Sequence, residues 1–157
     1  MNGVFCGSFC PITLGHLDII VRSSKLCDKL FVAVLNNCNK EYSIALEDRF
    51  NLVCKATANL PNVVVAKFDG ALIDFCIKNN ANLIIKSGRN AQDIQYEMDM
   101  ADINKQFSNV ETVFLACDKQ FQAVSSSLVR ELVILGKDIS KFVPNGLEQN
   151  IVKLLTK

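Results

Sequence analysis

The chain of 157 residues has a single histidine and no C-x-x-C pair. That excludes the usual Cys/His zinc sets, which need several such ligands at close spacing. Its seven cysteines, Cys6, Cys10, Cys27, Cys38, Cys54, Cys76 and Cys117, are odd in number and sit mostly in apolar runs. They are expected to be reduced, buried thiols acting as small hydrophobes rather than disulfides or metal ligands. No run of Lys or Arg tips the balance of 17 basic against 16 acidic residues. This argues against a duplex-binding protein, which would carry a basic stripe, but leaves room for a small anionic ligand held by a few cations. No apolar run reaches the ~18 residues that a membrane span needs. The first residues show no basic segment ahead of an apolar core, so a secretory leader is not expected and the expected location is cytoplasmic. Neither G-x-G-x-x-G nor G-x-x-x-x-G-K-[ST] occurs, which removes the usual dinucleotide fingerprint and the Walker loop. Repeats, low-complexity tracts and linkers are also missing, so residues 1–157 are expected to form one domain.

What the chain does have is a regular alternation. Half of its residues are hydrophobic and only 21% are charged, a globular balance. Apolar runs of strand length occur at residues 4–7, 29–35, 63–66, 82–86 and 110–115. Between and after them lie helical patterns at 17–27, 46–58, 71–79, 91–107, 125–135 and 146–155. Continuous apolar strands separated by helices, without hairpin turn signals, predict an α/β fold with a five-stranded parallel sheet and helices on both faces. In such sheets ligands bind beyond the carboxyl ends of the strands. The loops after strands one, two and four and the serine cluster after strand five should therefore converge.

The stretch Val4 to Leu17 reads as strand, tight loop and helix start, with His16 at the helix mouth. Unpaired N–H groups and the helix dipole suit an anion there, most naturally a phosphate. Gly15 would let the backbone approach that phosphate, and His16 would donate to a phosphoryl oxygen. A histidine at a helix start without chemistry is the plainer alternative. Ser125, Ser126 and Ser127 open a second helix with hydroxyls and free N–H groups, and Arg130 lies one turn in, on the face of Ser126 or Ser127. An ordinary cap beside a surface arginine is the alternative here. Lys40, in the loop after strand two, and Lys86, at the end of strand four, are cations at the carboxyl edge. Solvated lysines are the plain reading of both.

Two motifs carry a family resemblance. Gly7-Ser8-Phe9, Pro11-Ile12-Thr13 and Gly15-His16 resemble the [HT]-x-G-H motif of the nucleotidylyltransferase superfamily, and Ser125-Ser126-Ser127 with Arg130 resembles its S-[ST]-[ST]-x-x-[RK] motif. Within that superfamily, the helix Asp93 to Asn104 is similar to that of the phosphopantetheine adenylyltransferase family, and the resemblance covers essentially the whole chain.

The resemblance implies a Rossmann-like fold and transfer of the adenylyl group of ATP to 4′-phosphopantetheine, giving dephospho-coenzyme A and pyrophosphate. His16, Lys40 and Ser8 would be catalytic. Ser8, Phe9, His16, Ser87, Gly88, Arg89, Glu97, Phe121, Gln122, Ala123, Val124, Ser125, Ser126 and Ser127 would bind ATP. Ser8, Lys40, Leu72 and Lys86 would bind the acceptor. Mg2+ would accompany ATP without protein ligands of its own, and the family's hexamer is the implied assembly. The chain departs from the family pattern at Cys10, where aspartate is usual, at Lys86, where arginine is usual, in the order Ser87-Gly88, and at Ala123. Three other readings stay open. One is a sibling transferase acting on nicotinate mononucleotide or glycerol 3-phosphate, or using CTP. The others are an inactive nucleotide-binding regulator and a structural interaction module.

Overall fold

Side chains along a strand point alternately to its two faces, and strand β1 (Asn2–Gly7) shows both faces covered. Val4 packs into one apolar cluster and Phe5 into another. The computed structural model describes residues 1–36 and 41–157; Lys40 and Cys38 lie outside the described residues. The further strands are β2 (Lys29–Leu35), β3 (Val63–Phe68), β4 (Leu83–Gly88) and β5 (Glu111–Ala116). They form one parallel sheet in the order β3-β2-β1-β4-β5. β1 is central, with Phe5 in register with Val32 on one side and Ile85 on the other. The strand order therefore reverses beside β1, which places the crevice at its carboxyl end.

The helices are α1 (Leu14–Ser24), α2 (Leu46–Ala56), α3 (Leu72–Lys78), α4 (Ala91–Phe107), α5 (Ser126–Ile134) and α6 (Glu148–Leu155). Ile19 and Ile20 of α1, Leu52 and Val53 of α2, Val129 of α5 and Ile151 of α6 cover one face of the sheet. Ile73, Phe75 and Cys76 of α3 cover part of the other. The predicted parallel sheet, and helices on both its faces, are present.

Three helices, α1, α4 and α5, have a side-chain cap; α2, α3 and α6 have none. Thr13, Asn90 and Ser125 supply those caps, Asn90 accepting from Asp93 N–H at 2.9 Å and Ser125 from Leu128 N–H at 3.1 Å. Each cap satisfies one of the first-turn donors and leaves others for a ligand. Thr13 moves the start of α1 to Leu14, three residues before the predicted start, and so sets His16 in the first turn.

The described cysteines are all free thiols, as expected. Cys10, Cys27 and Cys76 are buried, whereas Cys6 near the end of β1, Cys54 in α2 and Cys117 just after β5 are only half-buried.

Candidate active site

The three capped helices open on one cavity of about 540 Å³, a volume within the roughly 300–1,000 Å³ common for small-molecule sites. α1 contributes Thr13, Gly15 and His16, α5 contributes Ser125, Ser126 and Ser127, and Arg89 and Gln92 come from the start of α4. Cys6 and Lys86 form part of the wall from the ends of β1 and β4.

His16 is held by its own helix cap. Its Nδ1 accepts from the Thr13 backbone N–H at 3.1 Å, while its backbone N–H donates to Thr13 Oγ1 at 3.4 Å. A backbone amide can only donate, so the neutral ring carries its proton on Nε2. Burial, reinforced by the positive charge of Arg89, holds the imidazole pKa down at about 4. The ring is therefore uncharged near neutral pH. It packs edge-to-face on Phe9 with centroids 5.1 Å apart.

The loop that carries Phe9 is gripped from both sides. Phe9 has φ +46°, a left-handed backbone that costs a non-glycine residue of order 1–3 kcal/mol. Before it, the Ser8 carbonyl accepts from Arg49 Nη1 at 2.7 Å; after it, the Cys10 carbonyl accepts from Arg130 Nη1 at 2.6 Å. Ser126 Oγ donates to the Pro11 carbonyl at 2.7 Å, and the Cys10–Pro11 peptide is cis. Arg130 also donates to Ser127 Oγ at 3.2 Å, the one-turn pairing anticipated from spacing. The two sequence motifs, more than a hundred residues apart, thus meet through direct hydrogen bonds.

Opposite His16, Lys86 Nζ lies 2.8 Å from Glu97 Oε2 and 3.6 Å from Cys6 Sγ. The contact with Glu97 is close but off the hydrogen-bonding direction, so Oε2 has no well-directed donor. Burial pulls the Lys86 ammonium down, but Cys6 and Glu97 more than offset this and leave its pKa raised. Burial pushes the Cys6 thiol up, so it remains protonated at neutral pH. Arg89 pairs with Asp93 at 3.2 Å and is exposed, a cation lining the cavity.

Most of the residues expected from the sequence meet here: His16, Lys86, Ser87, Arg89, Glu97, Phe121, Val124, Ser125, Ser126 and Ser127 line the cavity. Others do not. The Ser8 side chain is exposed at the rim, outside the lining, and its carbonyl is committed to Arg49. Phe9 is buried, its ring packed edge-to-face beneath the imidazole. Gln122 and Ala123 are exposed outside the lining. Leu72 packs at the edge of the α3 cluster, away from the cavity. Gly88 also lies off the lining; a Cβ there would fall 2.4 Å from Ile94 Cγ1, so its bareness lets α4 seat on β4. Gly15 lines the cavity, but a Cβ there would make only ordinary contact, 3.6 Å from Phe121 Cβ. Its freedom is not needed for the fold.

Sequence reasoning missed Asp93, Gln92 and Tyr96, which line the cavity from α4, and Arg49. For Arg49 a signal existed. It stands three residues after Leu46 and four before Val53, on the apolar stripe of α2, where a charge is out of place.

Among the described residues no group of three His, Cys, Asp or Glu side chains is gathered to hold a metal ion. Asp93 and Glu97, the carboxylates in the lining, are each already paired with a cation. The cavity offers amide donors and cations, a set matched to phosphate.

A family model described as cytidylyltransferase-like matches residues 4–132. The phosphopantetheine adenylyltransferase of Rhizorhabdus wittichii is 43% identical over 157 residues, spanning 99% of this chain and 95% of that protein. The one from Clostridium perfringens (strain SM101) is 43% identical across 97% of this chain and 96% of its own length. That of Thermobifida fusca is 40% identical across 96% and 93%. Among solved structures, one described as a nicotinate-nucleotide adenylyltransferase from Vibrio parahaemolyticus matches with a TM-score of 0.69, covering 99% of this chain and 91% of that one. At 19% identity it shows the shared fold alone. With two motifs joined around one cavity and relatives similar end to end, the chain belongs to the phosphopantetheine adenylyltransferase family.

Proposed function

We propose that this protein transfers the adenylyl group of ATP to 4′-phosphopantetheine, releasing pyrophosphate and forming dephospho-coenzyme A. A phosphate oxygen of the acceptor attacks the α-phosphorus in line, the new P–O bond forms as the bond to the β-phosphate oxygen breaks, and pyrophosphate leaves with that electron pair. A phosphate monoester is already nucleophilic near neutral pH, so the protein needs no general base. Its task is to hold two anions together and to stabilise charge on the α-phosphoryl oxygens.

The observation that carries this reading is the convergence of a neutral imidazole, the Lys86 ammonium and the serine-opened α5 on a single cavity. His16 donates its Nε2 proton as a hydrogen bond to an α-phosphoryl oxygen. The N–H groups at the start of α5 and the guanidinium of Arg89 receive the triphosphate. Lys86 takes the acceptor phosphate, exchanging part of its contact with Glu97 for the incoming anion, and Lys40 shares that role from the loop after β2. Mg2+ enters with ATP as the MgATP substrate, ligated by phosphate oxygens and water.

We place the protein in the cytoplasm as a single domain; no described helix is long and apolar enough to cross a membrane. We also assign it a homo-oligomeric assembly, hexameric by family resemblance. α4 buries none of its residues and exposes Ile94, Tyr96, Met98, Ile103 and Phe107, an apolar load that a second copy would cover. The test is pyrophosphate release measured with MgATP against a panel of acceptors: 4′-phosphopantetheine, nicotinate mononucleotide and glycerol 3-phosphate, each also with CTP. Turnover confined to ATP and 4′-phosphopantetheine is expected, and preference for another pair would overturn the assignment.

A further inference from the structure

Arg49 is fully buried, at 0% exposure, and no ion pair reaches it among the described residues. Burying a guanidinium without a counter-ion costs several kcal/mol, and an apolar side chain of similar size would fill the same space at no such cost. Its hydrogen bonds show what the charge is spent on. Nε donates to the Ile44 carbonyl at 3.1 Å, Nη1 to the Ser8 and Leu35 carbonyls at 2.7 Å each, and Nη2 to Asn36 Oδ1 at 3.3 Å. The guanidinium also lies 4.1 Å from the Tyr42 ring centroid. These partners fall in three places: the loop after β1, the end of β2, and the residues just ahead of α2. One planar group thus joins the loop beneath His16 to both flanks of the loop whose sequence contains Lys40.

We propose that Arg49 is a positioning residue for adenylyl transfer, fixing the loop after β1 against the end of β2 and the residues just ahead of α2 so that the two reacting phosphates are aligned. The proposal rests on the transferase reading above. Arg49 touches neither substrate in this scheme; it acts through the Ser8 carbonyl and, on the far side, through Leu35 and Asn36. Only a forked donor reaches all of these acceptors at once, so lysine, with one point of charge, would keep some of the contacts and lose the geometry.

The test compares Arg49→Lys with Leu52→Ala, a substitution on the same helix that removes buried core volume but no hydrogen bond to either loop. Steady-state kinetics are read alongside Tm and amide exchange over residues 8–10, 35–36 and 41–44. Arg49→Lys is expected to lower kcat on the order of 10²-fold, the scale of a misplaced reactant. It should also raise KM for the acceptor more than for ATP and speed exchange in both loops together. Leu52→Ala should lower Tm and leave kcat and both KM values as they are. If Arg49→Lys only lowers Tm, as Leu52→Ala does, with loop exchange unchanged, Arg49 is merely structural. If Arg49→Lys does not fold, Asn36→Ala, which removes one anchor alone, decides: an unchanged acceptor KM and unchanged loop exchange overturn the proposal. Should the wild type show no turnover with 4′-phosphopantetheine, the transferase reading fails by itself. The exchange comparison then reports whether Arg49 couples the loops.

Discussion

The His16 Nδ1 sits 3.1 Å from the backbone nitrogen of Thr13, the residue that caps its helix, so the imidazole serves as both cap and candidate donor. One hydrogen bond does two jobs. It satisfies a backbone donor at the entry to α1, and it fixes the ring's single proton on the opposite nitrogen, Nε2. Among the described residues Nε2 has no protein partner, and the ring lines the cavity.

From this follows the expected behaviour of His16→Ala. Loss of one donor aimed at a developing negative charge lowers kcat by roughly 10²- to 10³-fold. KM for ATP should change little, because the triphosphate is held by the serine helix and Arg89 rather than by the ring. The variant should also be less stable by about 0.5–2 kcal/mol, the usual cost of a lost cap interaction. Steady-state kinetics and thermal unfolding read the two effects separately, and near-normal turnover would remove His16 from the mechanism.

The depressed pKa gives a second prediction with a defined sign. The folded value, about 4, lies below the 6.5 of an ordinary imidazole, which the unfolded chain should show. Between these values the unfolded chain binds more protons, so the His16 contribution to stability is complete above pH 6.5 and is lost as pH falls toward 4. His16 is the only histidine, so one ring C–H resonance reports it. Its NMR titration should show no midpoint between pH 5.5 and 8. A midpoint near 6.5 would mean that the ring is solvated and carries charge in the site.

The sheet and the start of α5 were legible in the sequence because parallel strands buried on both faces read as unbroken apolar runs, and because a serine cluster marks a helix start; the caps Thr13 and Asn90 were not read. His16 and the serine cluster stood out because they lie at helix mouths, whereas Arg89 was named through the family resemblance. What local pattern could not give was pairing across the chain. Nothing in the spacing shows that Glu97 meets Lys86 at 2.8 Å, or that Arg130 reaches the Cys10 carbonyl, since each contact joins elements brought together only by the fold. The place of the Phe9 ring was hidden for a related reason: the left-handed turn at that residue packs its ring against His16, which no local pattern shows.

The pair Lys86–Glu97 should behave as a unit. Their side chains are 16% and 25% exposed, so removing one charge leaves the other poorly solvated. Lys86→Met leaves a lone carboxylate facing two anionic substrates and should raise KM for the acceptor by about tenfold or more. Glu97→Gln frees the ammonium and should raise it far less. The double variant should be less impaired in stability than Lys86→Met alone, because the uncompensated charge is gone. Additive losses in a double-mutant cycle, measured by chemical denaturation and by acceptor KM, would show that the two residues act independently.

Gly88 tests whether the seating of α4 matters to the site. A Cβ at this position would lie 2.4 Å from Ile94 Cγ1 and 3.2 Å from the Ile94 backbone nitrogen. The first clash is with a side chain that can move; the second is with the first turn of α4. Gly88→Ala should therefore push the start of α4 away from β4 and cost about 1–3 kcal/mol, as overpacking does. That same turn supplies Gln92 and Asp93 to the cavity, with Arg89 just ahead of its cap, so the affinity for ATP should fall together with stability. Adding Ile94→Ala removes the side-chain clash and leaves the backbone contact. The double variant should regain part of the lost Tm while ATP binding, measured by calorimetry, stays weak. Full recovery of both would show that the Ile94 side chain alone resisted the methyl group and that α4 had never moved.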